Sequence, residues 1–249
     1  MSESSLGATR VLLALEDLAQ HPKLGVTGLS AHFGWSKSVS HRLLQSLVEA
    51  GYAEQLPDTD EYTLTSKPFT IGSTVINRNG LTEVALPVME RFLKETGETI
   101  NLAVLEGCDV VFILKVEGEA LLGANIRVGC RFPAHTTALG KALMAHLPQD
   151  ELEKLLADLK LVQYTPNTVS TEEELLKELE KTRERGYAID KEELSLAMRC
   201  VGAAIRDASG YPIAALSIAG PIGRFHHERL HELGELLSEA ATDISKSLS

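Results

Sequence analysis

The sequence predicts an α+β chain built in two parts, and three observations carry that prediction. Residues 9–64 read helix, short helix, turn, helix and hairpin, which is the order of a winged helix-turn-helix. The remainder mixes helical and strand-like runs without strict βαβ alternation, a pattern that favours an antiparallel sheet. Charge is unevenly spread as well. The 249 residues carry 24 Lys+Arg against 35 Asp+Glu, a net charge of −11, yet no acid stands between Asp17 and Glu49. At 44% hydrophobic and 5% aromatic the composition is that of a globular chain of one or two domains, which excludes collagenous, low-complexity and wholly disordered classes.

Taken in order, Val11, Leu12, Leu15, Leu18 and Ala19 give a helical apolar stripe over 9–20, ended by Pro22 and Gly25. A short segment over 28–33 and the pair Gly34-Trp35 precede a helix with Ser36 at its N-cap and Gly51 just past its end. Residues 52–64 alternate weakly about Pro57-Asp58-Thr59-Asp60, as a hairpin does. Pro68 opens a further helix that Gly80 is expected to end, and the domain boundary is expected within 70–80. Beyond it come a helix over 83–96 with Pro87 in its early turns, strands over 99–105, 110–116 and 121–128, and helices over 137–146, 150–159 and 171–185. The last of these opens on the capping box Thr171-x-x-Glu174. Strands over 200–206 and 212–218 lead to a final helix over 227–247, whose start exposes His226 and His227 beside Arg229.

The third helix carries the first functional signal. Val39, Leu43 and Leu47 lie on one side with Leu44 beside them, while Ser38, His41, Arg42 and Gln45 share the other at i, i+3, i+4 and i+7. Short polar groups, an amide and a guanidinium on one stripe suit base edges and phosphates. Lys23, Lys37 and Arg42 fall inside the acid-free window. This local cationic character points to nucleic acid although the whole chain is acidic.

Three widely spaced cysteines, Cys108, Cys130 and Cys200, form neither a disulfide framework nor a metal knuckle and read as reduced, buried small residues. The Met-Ser-Glu-Ser-Ser start lacks the features of a signal peptide. No apolar run reaches the roughly 18 residues of a membrane span, so the expected location is cytoplasmic, with no membrane partner.

In the second part, His135-Thr136-Thr137 precedes the helix that begins at Ala138. Free backbone N–H groups and two hydroxyls there make an anion-receiving end; the alternative is that Thr137 only caps the helix. Two further readings compete. Cys130, His135, Cys200 and Asp190 are zinc-ligand types, though nothing in their spacing demands convergence, and a Cys–His nucleophile on the same residues lacks a local signature. The run Asp190-Lys191-Glu192-Glu193 reads as a solvated loop in which Asp190 alone can turn inward.

Residues 28–64, beginning Gly-Leu-Ser-Ala-His-Phe-Gly-Trp-Ser-Lys-Ser-Val-Ser-His-Arg-Leu-Leu-Gln, resemble the winged helix-turn-helix of IclR-type bacterial transcriptional regulators. The resemblance continues through Glu95-Thr-Gly-Glu-Thr-Ile-Asn-Leu-Ala-Val-Leu, Pro133-Ala-His-Thr-Thr-Ala-Leu-Gly-Lys-Ala, Arg185-Gly-Tyr-Ala-Ile-Asp, Arg199-Cys-Val-Gly-Ala-Ala-Ile and Ala215-Leu-Ser-Ile-Ala-Gly-Pro, and so covers about residues 8–245. It implies a DNA-binding domain over 1–68, a linker helix over 69–80 and a GAF-like effector-binding and oligomerisation domain with an antiparallel sheet over 81–249. Lys37, Ser38, Ser40 and Arg42 match the family's recognition-helix positions, so the DNA-binding set is Lys37, Ser38, Ser40, His41, Arg42 and Gln45. The turn at Thr136, Thr137, Ala138 and Leu139, with Asp190, Met198, Cys200 and Ser217, matches the family's effector pocket; Ala219 stands where a serine is frequent. The wing departs from the family: Asp58-Thr59-Asp60-Glu61 replaces a Thr-Gly-basic tip, and its carboxylates would repel phosphates.

The resemblance therefore implies a transcriptional regulator or repressor with no enzymatic activity and no cofactor. Its expected partners are a double-stranded operator, a small-molecule effector, with an organic acid fitting best, and further copies of itself as a homodimer or dimer of dimers. The competing classes are a small-acid-metabolising enzyme tethered by its N-terminal module and an architectural DNA-binding protein.

Overall fold

The computed structural model describes residues 3–76, 80–118 and 126–248. The chain divides into two compact units, 1–78 and 79–249, each described by itself.

The first unit contains α1 (Glu3–Gln20), β1 (Leu24–Gly25), α2 (Val26–Phe33), α3 (Lys37–Glu49), β2 (Ala53–Gln55), β3 (Glu61–Leu64) and α4 (Lys67–Ile76). Its small sheet has the order β1-β3-β2, antiparallel throughout. The core joins Ala14 and Leu18 of α1, Leu29 of α2, and Leu43, Leu44 and Leu47 of α3 with Ala53 and Tyr62 of the hairpin. Helix α1 is rotated slightly from the expected stripe. Ala14 faces inward, whereas Leu12 is 59% exposed, because an i, i+3, i+4, i+7 face cannot hold both neighbours Val11 and Leu12. Ser36 caps α3 by accepting from the Val39 N–H, and Gly34 turns the chain in the left-handed region that favours glycine.

The second unit holds α5 (Leu81–Thr96), β4 (Thr99–Glu106), β5 (Asp109–Val116), β6 (Arg131–Pro133), α6 (Ala138–Met144), α7 (Gln149–Asp158), α8 (Glu172–Arg185), β7 (Ala188–Lys191), β8 (Met198–Arg206), β9 (Pro212–Pro221) and α9 (His227–Ser247). Six strands form one antiparallel sheet in the order β6-β5-β4-β9-β8-β7, as the missing βαβ alternation predicted. Helices α5 and α9 pack on this sheet, and α6, backed by α8, packs on it separately. Cys200 and Ala204 of β8 join the core under α6. Val201, Ala203 and Ile205 alternate to the opposite face and are buried too.

Several expectations are corrected. Gly80 sits at φ 68° as the N-cap of α5, and residues 77–79, over which the preceding helix is expected to end, lie outside the described residues. Strands β1, β6 and β7 were not expected, and Asp190 lies inside β7 rather than in a solvated loop. Of the strand expected over 121–128, residues 121–125 lie outside the described residues, and 126–128 are not extended pairing partners. The capping box at Thr171 is half realised: its hydroxyl accepts from the Glu174 N–H, but the Glu174 carboxylate accepts from Ser170 rather than from Thr171.

Glycine decides how close α6 comes to the sheet. A Cβ on Gly202 would stand 2.8 Å from the Ala138 backbone, and one on Gly140 would stand 2.1 Å from the Ala134 carbonyl oxygen. Gly202→Ala should therefore lift α6 and destabilise the second unit by about 1–3 kcal/mol, the usual penalty of overpacking. A denaturant titration that resolves the second unit checks this.

Candidate DNA interface and effector site

In α3 Lys37, Ser38, His41 and Arg42 are exposed, as is Glu49 at the helix end, and Gln45 is half-buried. Gln45 donates its amide N–H to the Tyr62 hydroxyl at 3.0 Å, which ties α3 to β3. Ser40 does not belong to this face. It is fully buried, and its hydroxyl accepts from Ser30 of α2 at 3.0 Å. The buried stripe is Ser40, Leu43, Leu44 and Leu47, so Ser40 holds the two helices of the motif together and cannot reach a groove. Asp58 and Asp60 are exposed at the hairpin tip, and Asp58 adopts φ 59°.

The effector candidates of the second unit meet on one surface. Pairing sets Asp190 opposite Cys200, Gly202 opposite Ser217 and Ser217 opposite Asn101. Paired residues point to the same side, and every second residue of a strand shares it. Met198, Cys200, Gly202, Asp190, Ser217 and Asn101 therefore all face α6, whose first residue rests on Gly202. Thr136, Thr137, Ala138 and Leu139 stand above them, each buried.

The hydroxyls of the turn are already engaged. Thr136 donates to the Pro133 carbonyl at 2.9 Å, and Thr137 caps α6 by accepting from the Gly140 N–H at 2.9 Å. Among the described residues no partner is seen for the N–H groups of Ala138 and Leu139, the first-turn donors every helix leaves over. His135 is buried, its Nε2 bonded to the Val162 carbonyl at 3.1 Å, and desolvation holds its pKa below the ordinary imidazole range.

Two residues of this surface escape a reading by residue type. Asn101, 2% exposed, donates to the Ser217 hydroxyl at 3.3 Å, and its Oδ1 is buried without a partner among the described residues. Lys141 is fully buried and donates to Glu193 Oε1 at 2.5 Å and to the Ile189 carbonyl at 2.6 Å. The signals were available: an amide inside the apolar run Ile100-Asn101-Leu102, and an ammonium inside Leu139-Gly140-Lys141-Ala142-Leu143, with no polar face for it to join.

Asp190 is the titratable group of the surface. Burial, opposed by the charge of Lys141 and reinforced by that of Glu193, raises its pKa to about 7, while its Oδ1 accepts from the Glu193 N–H at 2.7 Å. Burial and the Asp190 carboxyl push the Cys200 thiol well above its usual range, so it is no thiolate nucleophile or ready metal ligand. The zinc grouping of Cys130, His135, Cys200 and Asp190 is not assembled. Among the described residues, the group of His, Cys, Asp and Glu with ligand atoms close enough for a metal is Asp17, His21 and His32 in the first unit.

A two-part chain with an N-terminal helix-turn-helix and a buried polar surface on a separate antiparallel domain is the architecture of a ligand-responsive DNA-binding regulator. The sequence matches the IclR helix-turn-helix domain over residues 7–57 and the bacterial transcriptional regulator IclR C-terminal domain over residues 73–246. The chain belongs to the IclR family of bacterial transcriptional regulators. It is 32% identical over 240 residues to the transcriptional repressor IclR of Escherichia coli, covering 95% of this chain and 88% of that one. The crystal structure of the Thermotoga maritima IclR superposes with a TM-score of 0.82 at 33% identity, covering 97% and 98% of the two chains. An IclR homologue from Microbacterium hydrocarbonoxydans, solved in complex with 4-hydroxybenzoate, gives 0.85 at 26% identity over 97% and 98%. These matches are with transcriptional regulators, which decides against the tethered-enzyme reading. No helix among the described residues is long and apolar enough to cross a membrane.

The raised pKa of Asp190 has a definite sign. The folded chain holds this proton more tightly than the unfolded one, so stability falls as pH rises from about 4 through about 7. Asp190→Asn keeps an oxygen for the Glu193 N–H and removes that dependence. Urea titrations should find the variant no more stable than the parent near pH 4 and more stable at pH 8, by up to about 4 kcal/mol.

Proposed function

We propose that the chain is a repressor whose operator affinity is set by a small organic acid held with its carboxylate at the start of α6, beside the sheet. The observation that carries this reading is the convergence of Asp190, Met198, Cys200 and Ser217 with Asn101 on the face beneath α6. The acid's carboxylate meets the N–H groups of Ala138 and Leu139 and the Ser217 hydroxyl, because unpaired first-turn amides favour an anion. Asp190 receives a hydroxyl of the ligand or keeps its own proton, since two bare carboxylates would repel. Leu139 and Met198 with Ala219 make the remainder apolar, which favours an aromatic or short aliphatic acid over a sugar. The 4-hydroxybenzoate of the Microbacterium relative, a carboxylate and a hydroxyl on an apolar ring, has this chemistry. Calorimetry of the full chain against organic acids, amines and sugars tests it. An acid should bind, and Ser217→Ala should weaken it; tight binding of a cation, or acid binding indifferent to Ser217→Ala, would reject the site.

On the DNA side, Lys37, Ser38, His41 and Arg42 form the groove-facing set, with Gln45 braced by Tyr62. One such helix with two cations is a modest footprint, which supports operator binding by paired subunits, as a homodimer or dimer of dimers on a pseudo-palindrome. Helix α4, within the expected linker segment, serves as the linker; its exposed Phe69, Ile71 and Val75 are apolar surface of the kind that pairing covers. Gel-shift titrations should show Arg42→Ala weakening specific binding by about 1–3 kcal/mol, with Lys37→Ala acting evenly across sequences. Replacing Asp60 by Gly together with Glu61 by Arg should strengthen binding by removing repulsion at the wing. Unchanged binding in Arg42→Ala would reject the assigned face.

A further inference from the structure

The meeting point of α1 and α2 holds a cluster that neither DNA reading nor effector binding uses. Asp17 lies in the last turn of α1, His21 directly follows that helix four residues on, and His32 lies in the last turn of α2. The Nδ1 of His32 stands 2.8 and 3.0 Å from the two carboxylate oxygens of Asp17, and the Nδ1 of His21 stands 3.0 Å from one of them. The two imidazoles lean together with ring centroids 4.6 Å apart. One ligand atom from each residue lies within 4.8 Å of the other two.

That spacing is close to what a metal requires. Zinc at about 2.0–2.1 Å from nitrogen and oxygen ligands in a tetrahedron sets ligand-to-ligand edges of roughly 3.3 Å. The two edges to the carboxylate are already slightly shorter than this, and the third closes by rotation of a half-exposed ring. The exposures suit entry from solvent: the carboxylate is 9% exposed, whereas His32 and His21 are 37% and 49% exposed. The carboxylate thus sits at the bottom and the imidazoles at the rim, leaving the remaining position to water. Two imidazoles and one carboxylate select zinc and its divalent first-row neighbours over magnesium or calcium, which take oxygen ligands.

We infer that Asp17, His21 and His32 form a zinc-class metal site that fastens α1 to α2. Without an ion each Nδ1–H donates to the Asp17 carboxylate, and that of His21 also meets the Asp17 carbonyl at 3.1 Å. The ion displaces these protons, so that each ring ligates through the Nδ1 lone pair and carries its remaining proton on Nε2. The ion replaces a bare carboxylate by a site of net positive charge at the edge of the acid-free part of the chain. It also clamps the helix that leads, through Gly34, into the N-cap of α3, and so stiffens the seat of the recognition helix. The stacking of Phe33 on Trp35 at 4.4 Å and the placement of Arg10 over Trp35 tie α1 to the same turn without a metal, so the fold does not need the ion in order to form.

The test is a titration of chelator-stripped full-length protein with Co(II), read by its visible d–d absorption, followed by displacement with Zn(II). One equivalent should bind, and Zn(II) should raise the melting temperature of the first unit. His21→Gln and His32→Gln should each weaken cobalt binding about tenfold or more, whereas Cys130→Ser and Cys200→Ser should leave it unchanged. His21 lies past the helix end and is half exposed, so the folded His21→Gln variant, checked by circular dichroism, decides the matter if His32→Gln loosens the unit. Absence of binding, or binding that persists equally in both histidine variants, would overturn the site and leave a hydrogen-bonded clasp.

Discussion

The buried ammonium of Lys141 is the constraint on which the second unit depends. Removing such a charge from water costs several kcal/mol, recovered only where ion-pair and hydrogen-bond geometry are fixed. Lys141 meets that condition by reaching Glu193 and the Ile189 carbonyl together, so the two-turn helix α6 is bound at once to β7 and to the segment after it. That segment contains two residues held at φ 67°, Glu192 and Ala197, a conformation costly for residues with a Cβ. Glu193 closes the circuit by donating its N–H to Asp190. Helix, sheet edge and carboxyl therefore cannot move independently.

The same packing that fixes the site also leaves it under-satisfied. Asn101 Oδ1, His135 Nδ1 and Glu193 Oε2 are buried without partners among the described residues, and an unmet buried polar group costs about 1–3 kcal/mol. Asp190 adds a carboxyl poised near neutrality. Glu193 cannot be made apolar without stranding the Lys141 ammonium, so the unmet lone pairs are kept alongside the contacts that hold α6. Their presence along one side of an otherwise aliphatic core fits a surface shaped for recognition, where stability is given up for polar groups that a ligand completes.

How much of this was legible in the sequence varied with the length of the signal. Helices α3, α8 and α9 announced themselves through periodicity and caps, because their own residues decide both. Strands β1, β6 and β7 did not, since two to four residues carry no usable alternation and exist only because a partner strand is there to pair. Ser40 entered the DNA-binding set through the family match and not through the polar stripe, from which its helical phase already separates it; its small hydroxyl suits the tight contact with α2. Family resemblance named Asp190, Met198, Cys200 and Ser217, and register explains why such distant residues share a face. Lys141 and Asn101 were hidden because single-residue reading treats polar groups as solvated, although their unbroken apolar neighbours argued otherwise. The cluster of Asp17, His21 and His32 spans two helices, and only the i, i+4 pair was visible in one dimension.

The charge distribution gives the two units a common logic. Phosphate contacts supply most non-specific affinity, and each one is sequence-blind. A chain of net charge −11 with carboxylates at the wing tip holds that background low, since every unselective approach to DNA brings acids toward phosphates. On the proposed reading, what remains favourable is the narrow stripe of Lys37, Ser38, His41 and Arg42, which gains most when hydrogen bonds to base edges are made. Pairing of subunits then multiplies the selective contribution without enlarging the basic surface of either. Specificity, the ratio of operator to background binding, rises in this design through what the protein withholds from the backbone as much as through what it offers the bases. A regulator so balanced has little surplus affinity, so a small differential from effector binding is enough to shift its occupancy of the operator.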